Sequence, residues 1–288
     1  MKKQKLESFI QSVIKDIKSA VNALKNFRLT RVKKRKLAVL GVLAGLIAVL
    51  LIIAAVVSAA GNGSEAQEET TSATEPTTEK PSFMIQNVEV IPQTDLKAGC
   101  ETYACTMLLR ILGFDLDEHT FADNYLNCVY VVTGENGDKY GPDLYSAFAG
   151  TAYAGWGVYA PSMSKSMNEY LKDQKSNLKA YWMENVELED LCDQYVSKGV
   201  PVMIWATTNM EEPYVFDTWT VNYVDENAKT KIGDSFSWYM HEHCLVLIGY
   251  DAENYYFGDS TAGTISCFNK ELVKKRYEQL FKQSIVVK

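Results

Sequence analysis

The stretch KAGCETYACTMLL, Lys97 to Leu109, carries two cysteines, Cys100 and Cys105, where a helical pattern begins. A thiol at a helix start faces unpaired backbone N–H groups and the positive end of the helix dipole, and both favour the thiolate. Such a thiolate becomes a nucleophile when a base can reach it. The chain has three histidines, His119, His241 and His243. His119 lies in a polar helical segment and reads as a solvated surface residue. His241 and His243 stand two apart where an apolar strand begins, so they share one face. Asp259 comes sixteen residues after His243, across a turn around Asp251 to Asn254. A hairpin there would set its carboxylate beside the imidazole and hold the ring for proton transfer. Gln93 could turn its amide N–H toward a developing oxyanion, together with the backbone N–H of Cys100. Each residue also has a plainer reading: a small residue at a helix start, a satisfied strand histidine, a glutamine before a loop.

Cys105 is set apart from Cys100 by geometry. Five helical residues rotate about 500°, which turns its side chain some 140° away and into the core. A zinc site could be collected from His241, His243, Cys244, Cys100 and Cys105. However, Cys244 points to the opposite strand face from the histidines, and no CxxC or HExxH spacing is present. No metal and no cofactor is expected. The remaining cysteines, Cys128, Cys192, Cys244 and Cys267, form no tight pair, and most of the six read as buried free thiols. Tyr181, Trp182, Trp205, Trp219 and Trp238 could line a peptide groove, although packing is the expected role for most of them.

These residues need elements to position them. MIQNVEVIPQTD alternates weakly and predicts an entering strand. Gly99 opens a helix that runs to about Leu112, and Gly113 ends it. Asp117 to Leu126 is a second short helix. GENGDKYGPD is rich in turn residues and predicts a loop. GWGVYAP is a short strand leading to Pro161, which starts the helix SMSKSMNEYLKD. ELEDLCDQYVSKG is a helix, and VPVMIWAT a buried strand. After a polar stretch come the strands HCLVLIGYD, NYYFGDS and SIVV. Helices come first and strands cluster late, so the pattern is α+β with a mostly antiparallel sheet.

The rest of the 288-residue chain concerns location. Residues 37–60 form an apolar run of 24 residues with no charge. At about 1.5 Å per residue this is long enough to span a hydrocarbon core of about 30 Å. Residues 1–36 hold 12 Lys/Arg against 2 Asp/Glu, and the remainder of the chain holds 17 basic against 34 acidic residues. The positive-inside rule then keeps the N-terminus cytoplasmic and exports the chain beyond residue 60. The acidic exported part argues against nucleic acid as a partner. Leu6, Phe9, Ile10, Val13, Ile14, Ile17, Val21 and Leu24 recur at helical spacing opposite lysines. This predicts a basic amphipathic helix that lies on the inner leaflet or pairs with another cytoplasmic protein. Residues 61–82 contain no large apolar residue and read as a disordered tether. One globular domain, residues 83–288, remains.

IPQTDLKAGCETYACTMLLRILGF resembles the nucleophile segment of the bacteriocin-processing (double-glycine) peptidases and, more closely, their stand-alone exported relatives. The shared features are an upstream Gln, Gly-Cys-Glu, and a small-residue helix ending Met-Leu-Leu before a closing Gly. GWGVYAPSMSKSMNEYL and SKGVPVMIWAT are similar to the family's middle segments, and HCLVLIGYD to its His strand. FGDS resembles its Asp turn, with Ser260 where the family usually has Pro. The resemblance implies a papain-like cysteine peptidase fold, an N-terminal helix bearing the nucleophile packed on an antiparallel sheet. It implies Cys100 as nucleophile, His243 as base, Asp259 as the orienting residue and Gln93 as oxyanion donor. His241 falls outside the motif and is left as a subsite or surface residue. The function expected is a membrane-anchored cysteine peptidase outside the cytoplasm of a bacterium, acting on a peptide or protein substrate. Two alternatives stay open: a peptidoglycan endopeptidase, amidase or transferase using the same residues, and an inactive papain-like module that binds a partner.

Overall fold

The structure is a computed structural model that describes residues 82–288. The segments expected over 1–36 and 37–60, and the tether except its last residue, lie outside the described residues. Among the described residues no helix is long and apolar enough to cross a membrane.

The domain enters through β1 (Phe83–Met84) and then α1 (Cys100–Ile111) and α2 (Glu118–Asn124). Five short strands come next: β2 (Cys128–Val129), β3 (Val132–Thr133), β4 (Lys139–Pro142), β5 (Phe148–Thr151) and β6 (Ala154–Gly157). They lead to α3 (Ala160–Asp173), β7 (Ala180–Glu184), α4 (Leu188–Gln194), β8 (Val202–Thr207), β9 (Tyr214–Tyr223) and β10 (Ser235–Met240). The chain closes with β11 (Glu242–Tyr250), β12 (Asn254–Asp259), β13 (Thr264–Asn269), α5 (Lys270–Gln279) and β14 (Gln283–Val287).

The central sheet has the order β13-β12-β11-β8-β14-β7, with β1 added on β11. Every pairing in it is antiparallel. The expected α+β class and antiparallel sheet are therefore present. Strand alternation distributes the sheet's side chains over two cores. Met203 and Trp205 of β8, with Cys244, Val246 and Ile248 of β11, pack with residues of α1 and α3. Val202, Ile204, Ala206, Leu245 and Leu247 pack with residues of α4 and α5. Covering both faces explains why VPVMIWAT and CLVLIG read as unbroken apolar runs.

α1 packs chiefly on β11. It is buried nearly all round: Tyr103, Cys105, Met107, Leu108 and Leu109 have no exposure, and neither do Glu101, Thr102 and Thr106. Truncating one of these leucines to Ala would cost roughly 2–5 kcal/mol. Gly99, the N-cap, is fixed by close approach. A Cβ there would stand 2.7 Å from the Leu96 Cβ. The helix can therefore begin at Cys100 directly against the preceding chain.

Some expectations need correction. MIQNVEVIPQTD is not one strand, since only Phe83–Met84 forms a ladder. Ile85 N donates to Ile248 O at 2.8 Å and Gln93 N to Ser260 O at 2.8 Å, so the segment is tied to the sheet at both ends without pairing along it. GENGDKYGPD contains β4, which runs parallel to β9. The polar stretch before HCLVLIGYD is the hairpin β9–β10, the body of a second sheet ordered β10-β9-β4-β3. Alternation is poor in β9 because Tyr214, Val215 and Phe216 are all exposed.

Candidate active site

Gln93, Cys100, His243 and Thr261 line one cleft of about 280 Å³, together with Trp156, Trp238, Met240, His241 and Glu242. Cys100 is the first residue of α1. Its backbone N–H belongs to the first turn, where no intrahelical acceptor exists. His243 is the second residue of β11, and Asp259 ends β12. β11 and β12 form the hairpin expected from the sequence.

His243 Nε2 lies 2.9 Å from Asp259 Oδ1, with both side chains almost wholly buried. A carboxylate only accepts, so Nε2 carries the hydrogen and Nδ1 remains as the second ring nitrogen. Asp259 also accepts from Ser266 Oγ at 2.8 Å and from the backbone N–H groups of Thr261 and Ala262. Burial pushes its carboxyl up, but the His243 hydrogen bond and charge, with Ser266 and Ala262, pull it down further, so it sits below its usual value.

The Cys100 thiol does not bond to His243. Its side-chain hydrogen bond is donated to Glu101 Oε2 at 3.3 Å. Burial, then the carboxyls of Glu101 and Glu242, push the thiol well above its usual value, while the Cys244 backbone N–H acts in the opposite direction. The sequence predicts a thiolate favoured by the helix start. In this arrangement desolvation and like charge outweigh the dipole.

Glu101 stands in the Gly-Cys-Glu of the nucleophile segment without a role assigned to it there, and nothing in the sequence pattern singles out Glu242. Glu101 has no exposure and Glu242 only 9%. Glu101 Oε1 accepts the Val158 N–H at 2.8 Å, whereas Glu242 Oε1 is buried with no partner. One oxygen of each carboxyl and the Cys100 Sγ all lie within 4.8 Å of one another. Three donors converge as they would around a cation, yet two of them already meet in the thiol–Glu101 hydrogen bond. Gly157, at φ +147°, closes this corner: a Cβ there would stand 2.5 Å from Glu101 Oε1 and 3.2 Å from Glu242 Oε2.

Gln93 donates through Nε2 to Leu96 O at 2.8 Å and Lys97 O at 3.3 Å, and its Oε1 accepts from Ser260 Oγ at 3.3 Å. Its amide lines the cleft, but its donors are held by backbone carbonyls. A role toward an oxyanion requires freeing one of them. His241 lies outside the strand in a left-handed conformation (φ +71°). It faces Glu211 at 3.4 Å and packs edge-on to Tyr214. It still reaches the same cleft as His243, through a turn rather than by strand alternation.

Cys105 is buried in the core, as its angular offset predicts. All six cysteines are free. Cys105, Cys192 and Cys244 are buried, Cys100 and Cys128 partly so, and Cys267 is exposed. Of the aromatics singled out in the sequence, Trp205 and Trp219 are buried, Trp238 lines the cleft, and Tyr181 and Trp182 are exposed outside it. Trp156 also lines it, fixed by a 3.0 Å hydrogen bond from its Nε1 to Asp217. Its only local signal is the pair of glycines flanking it in GWG.

The model of the Peptidase_C39-like family matches residues 85–285. The chain is 26% identical to a C39-like peptidase of Bacillus anthracis known from a crystal structure. That likeness covers 72% of this chain and 98% of the other, with a TM-score of 0.59. The uncharacterized protein YvpB of Bacillus subtilis is 25% identical over 191 residues, 66% of this chain and 68% of that protein. A more distant likeness is the peptidase domain of Streptococcus ComA, 10% identical with a TM-score of 0.39 over 70% of this chain and 98% of that one. With its helix-borne thiol packed on an antiparallel sheet, the chain belongs to the Peptidase_C39-like family and is a cysteine peptidase of papain-like α+β fold.

Proposed function

We propose that this peptidase is displayed outside the cytoplasm on a membrane anchor, residues 37–60, and cleaves peptide bonds through Cys100, His243 and Asp259. The observation that carries the reading is the buried His243–Asp259 pair: it uses Nε2 and leaves Nδ1 for the thiol, in a cleft that Cys100 also lines. Asp259 can orient the ring because four donors hold it ionised. The thiol proton passes to Nδ1, and the resulting thiolate attacks the substrate carbonyl. The Cys100 N–H and a freed Gln93 N–H then receive the oxyanion. His243 returns its proton to the leaving amine, and water cleaves the thioester. The proposed organisation is a cytoplasmic basic segment, 1–36, the anchor, a tether over 61–82 and the peptidase domain over 83–288.

The test compares released and surface peptides from cells carrying the wild type or Cys100→Ala, with purified full-length protein assayed on extended peptides. Products that depend on Cys100 support the proposal. Release only of cell-wall stem peptides would move the substrate to peptidoglycan. No Cys100-dependent product of either kind would favour a binding module.

A further inference from the structure

Two carboxyls are buried beside Cys100, and the proposed peptide cleavage uses neither. Glu101 comes after the thiol on α1, and Glu242 precedes His243 on β11. The groups that face them are Cys100 from α1, Cys244 from β11 and Tyr159 at the start of α3. No cation is among these neighbours. Two carboxylates this close, desolvated and without a counter-charge, do not both ionise. The unpartnered Oε1 of Glu242 and the backbone bond to Glu101 give the two acids different roles: Glu101 is the acceptor and Glu242 the proton holder.

We infer that Glu101 and Glu242 act as a proton-sharing positioning pair, which holds the Cys100 thiol at rest and sets the pH range in which it is released to His243. This inference rests on the proposed nucleophile. At rest the S–H donates to Glu101 Oε2. A turn about the Cys100 side-chain bond carries the S–H to His243 Nδ1, where the proton transfers and leaves a thiolate–imidazolium pair. Glu101 Oε2 then takes the Glu242 proton as its donor in place of the thiol. No proton leaves the site. A charge on the pair penalises a thiolate at the resting position, so the thiolate forms only beside His243.

Burial pushes Glu101 up to about 7, and burial together with Glu101 pushes Glu242 well above its usual value. The pair therefore gains its negative charge near neutrality. The test tracks the rate of iodoacetamide modification of Cys100 in the full chain from pH 5.5 to 9, read on the Cys100 peptide by mass spectrometry. The wild-type profile should break near pH 7 and rise less steeply above it. Glu101→Gln should remove the break and raise the rate at pH 8 about tenfold, as one pKa unit would. Glu242→Gln should keep the break near pH 7, since its amide replaces the Glu242 O–H as donor to Glu101, whereas Glu242→Leu, which has no donor, should move it to higher pH. A break that persists unchanged in Glu101→Gln and in Glu242→Leu overturns the inference. Peptide hydrolysis separates the two claims. If cleavage needs Cys100 and His243 while the Glu101→Gln and Glu242→Leu profiles match the wild type, only the inference fails. If the profiles shift while no peptide is cleaved, only the peptidase reading fails.

Discussion

Two acid-containing pairs flank the start of β11, and the same residue chemistry reaches opposite charge states in them. Asp259 is buried and kept ionised by an imidazole, a hydroxyl and two backbone N–H groups. Glu101 and Glu242 are also buried, but among the described residues no cation stands beside them as His243 stands beside Asp259; burial holds the Glu101 proton to about 7 and pushes Glu242 well above its usual value. Burial alone does not decide a carboxyl's charge; the donors around it and the charge of its nearest partner do. One pair is built to support a cation on His243. The other is built to oppose an anion on Cys100 until the thiol has moved.

The largest effect should come from removing either end of the thiol–imidazole pair. Cys100→Ala and His243→Ala should each lower kcat/KM for peptide cleavage by roughly 10³-fold or more, and the double variant by little further, because the two act as a unit. Asp259→Asn breaks the ionised pair alone. It keeps the shape but removes the charge, and should lower kcat by about 10²-fold or more with KM nearly unchanged. Gln93→Ala should cost about 10²-fold in kcat if its amide is freed for the oxyanion, and almost nothing if it only ties Leu96 and Lys97 to Ser260.

The carboxyl pair offers smaller, conformational effects. Gly157→Ala puts a methyl group against both acids and asks Ala for a backbone angle that glycine favours, so it should destabilise the fold by about 1–3 kcal/mol in chemical unfolding. The two pairs should also give opposite pH slopes of stability. Asp259 binds its proton less tightly folded than unfolded, so its contribution is present above its unfolded value and is lost as pH falls through the lower folded one. Glu101 binds its proton more tightly folded, so stability falls as pH rises from about 4.3 toward 7. The melting temperature should decline over that window, and the double variant Glu101→Gln/Glu242→Gln should flatten the decline relative to the wild type.

The legible parts of the sequence were those with local signals. Cys100 could be placed at a helix start from Gly99 and the apolar spacing beyond it, and Asp259 opposite His243 from one hairpin turn. Strands covered on both faces were legible as apolar runs, as in β8 and β11. β9 and β10 were not, because their exposed aromatics and polar residues break the alternation that marks a half-buried strand. Glu101 and Glu242 were hidden for a different reason. Each stands beside a residue that drew attention, and nothing local says that α1 and β11 will press two carboxyls into one dry corner. Gly157 and the Glu of Gly-Cys-Glu were traces of that corner, readable only once the fold supplied what the missing Cβ of Gly157 would strike.

The most direct test of the central claim is active-site labelling of the full chain with a peptidyl chloromethyl ketone, mapped cysteine by cysteine. Cys267 is the exposed thiol and the natural target of an indiscriminate reagent. A peptidase using Cys100 should be modified at Cys100 first, and that labelling should fall sharply in His243→Ala. Preferential labelling at Cys267, or labelling at Cys100 indifferent to His243, would contradict the assignment.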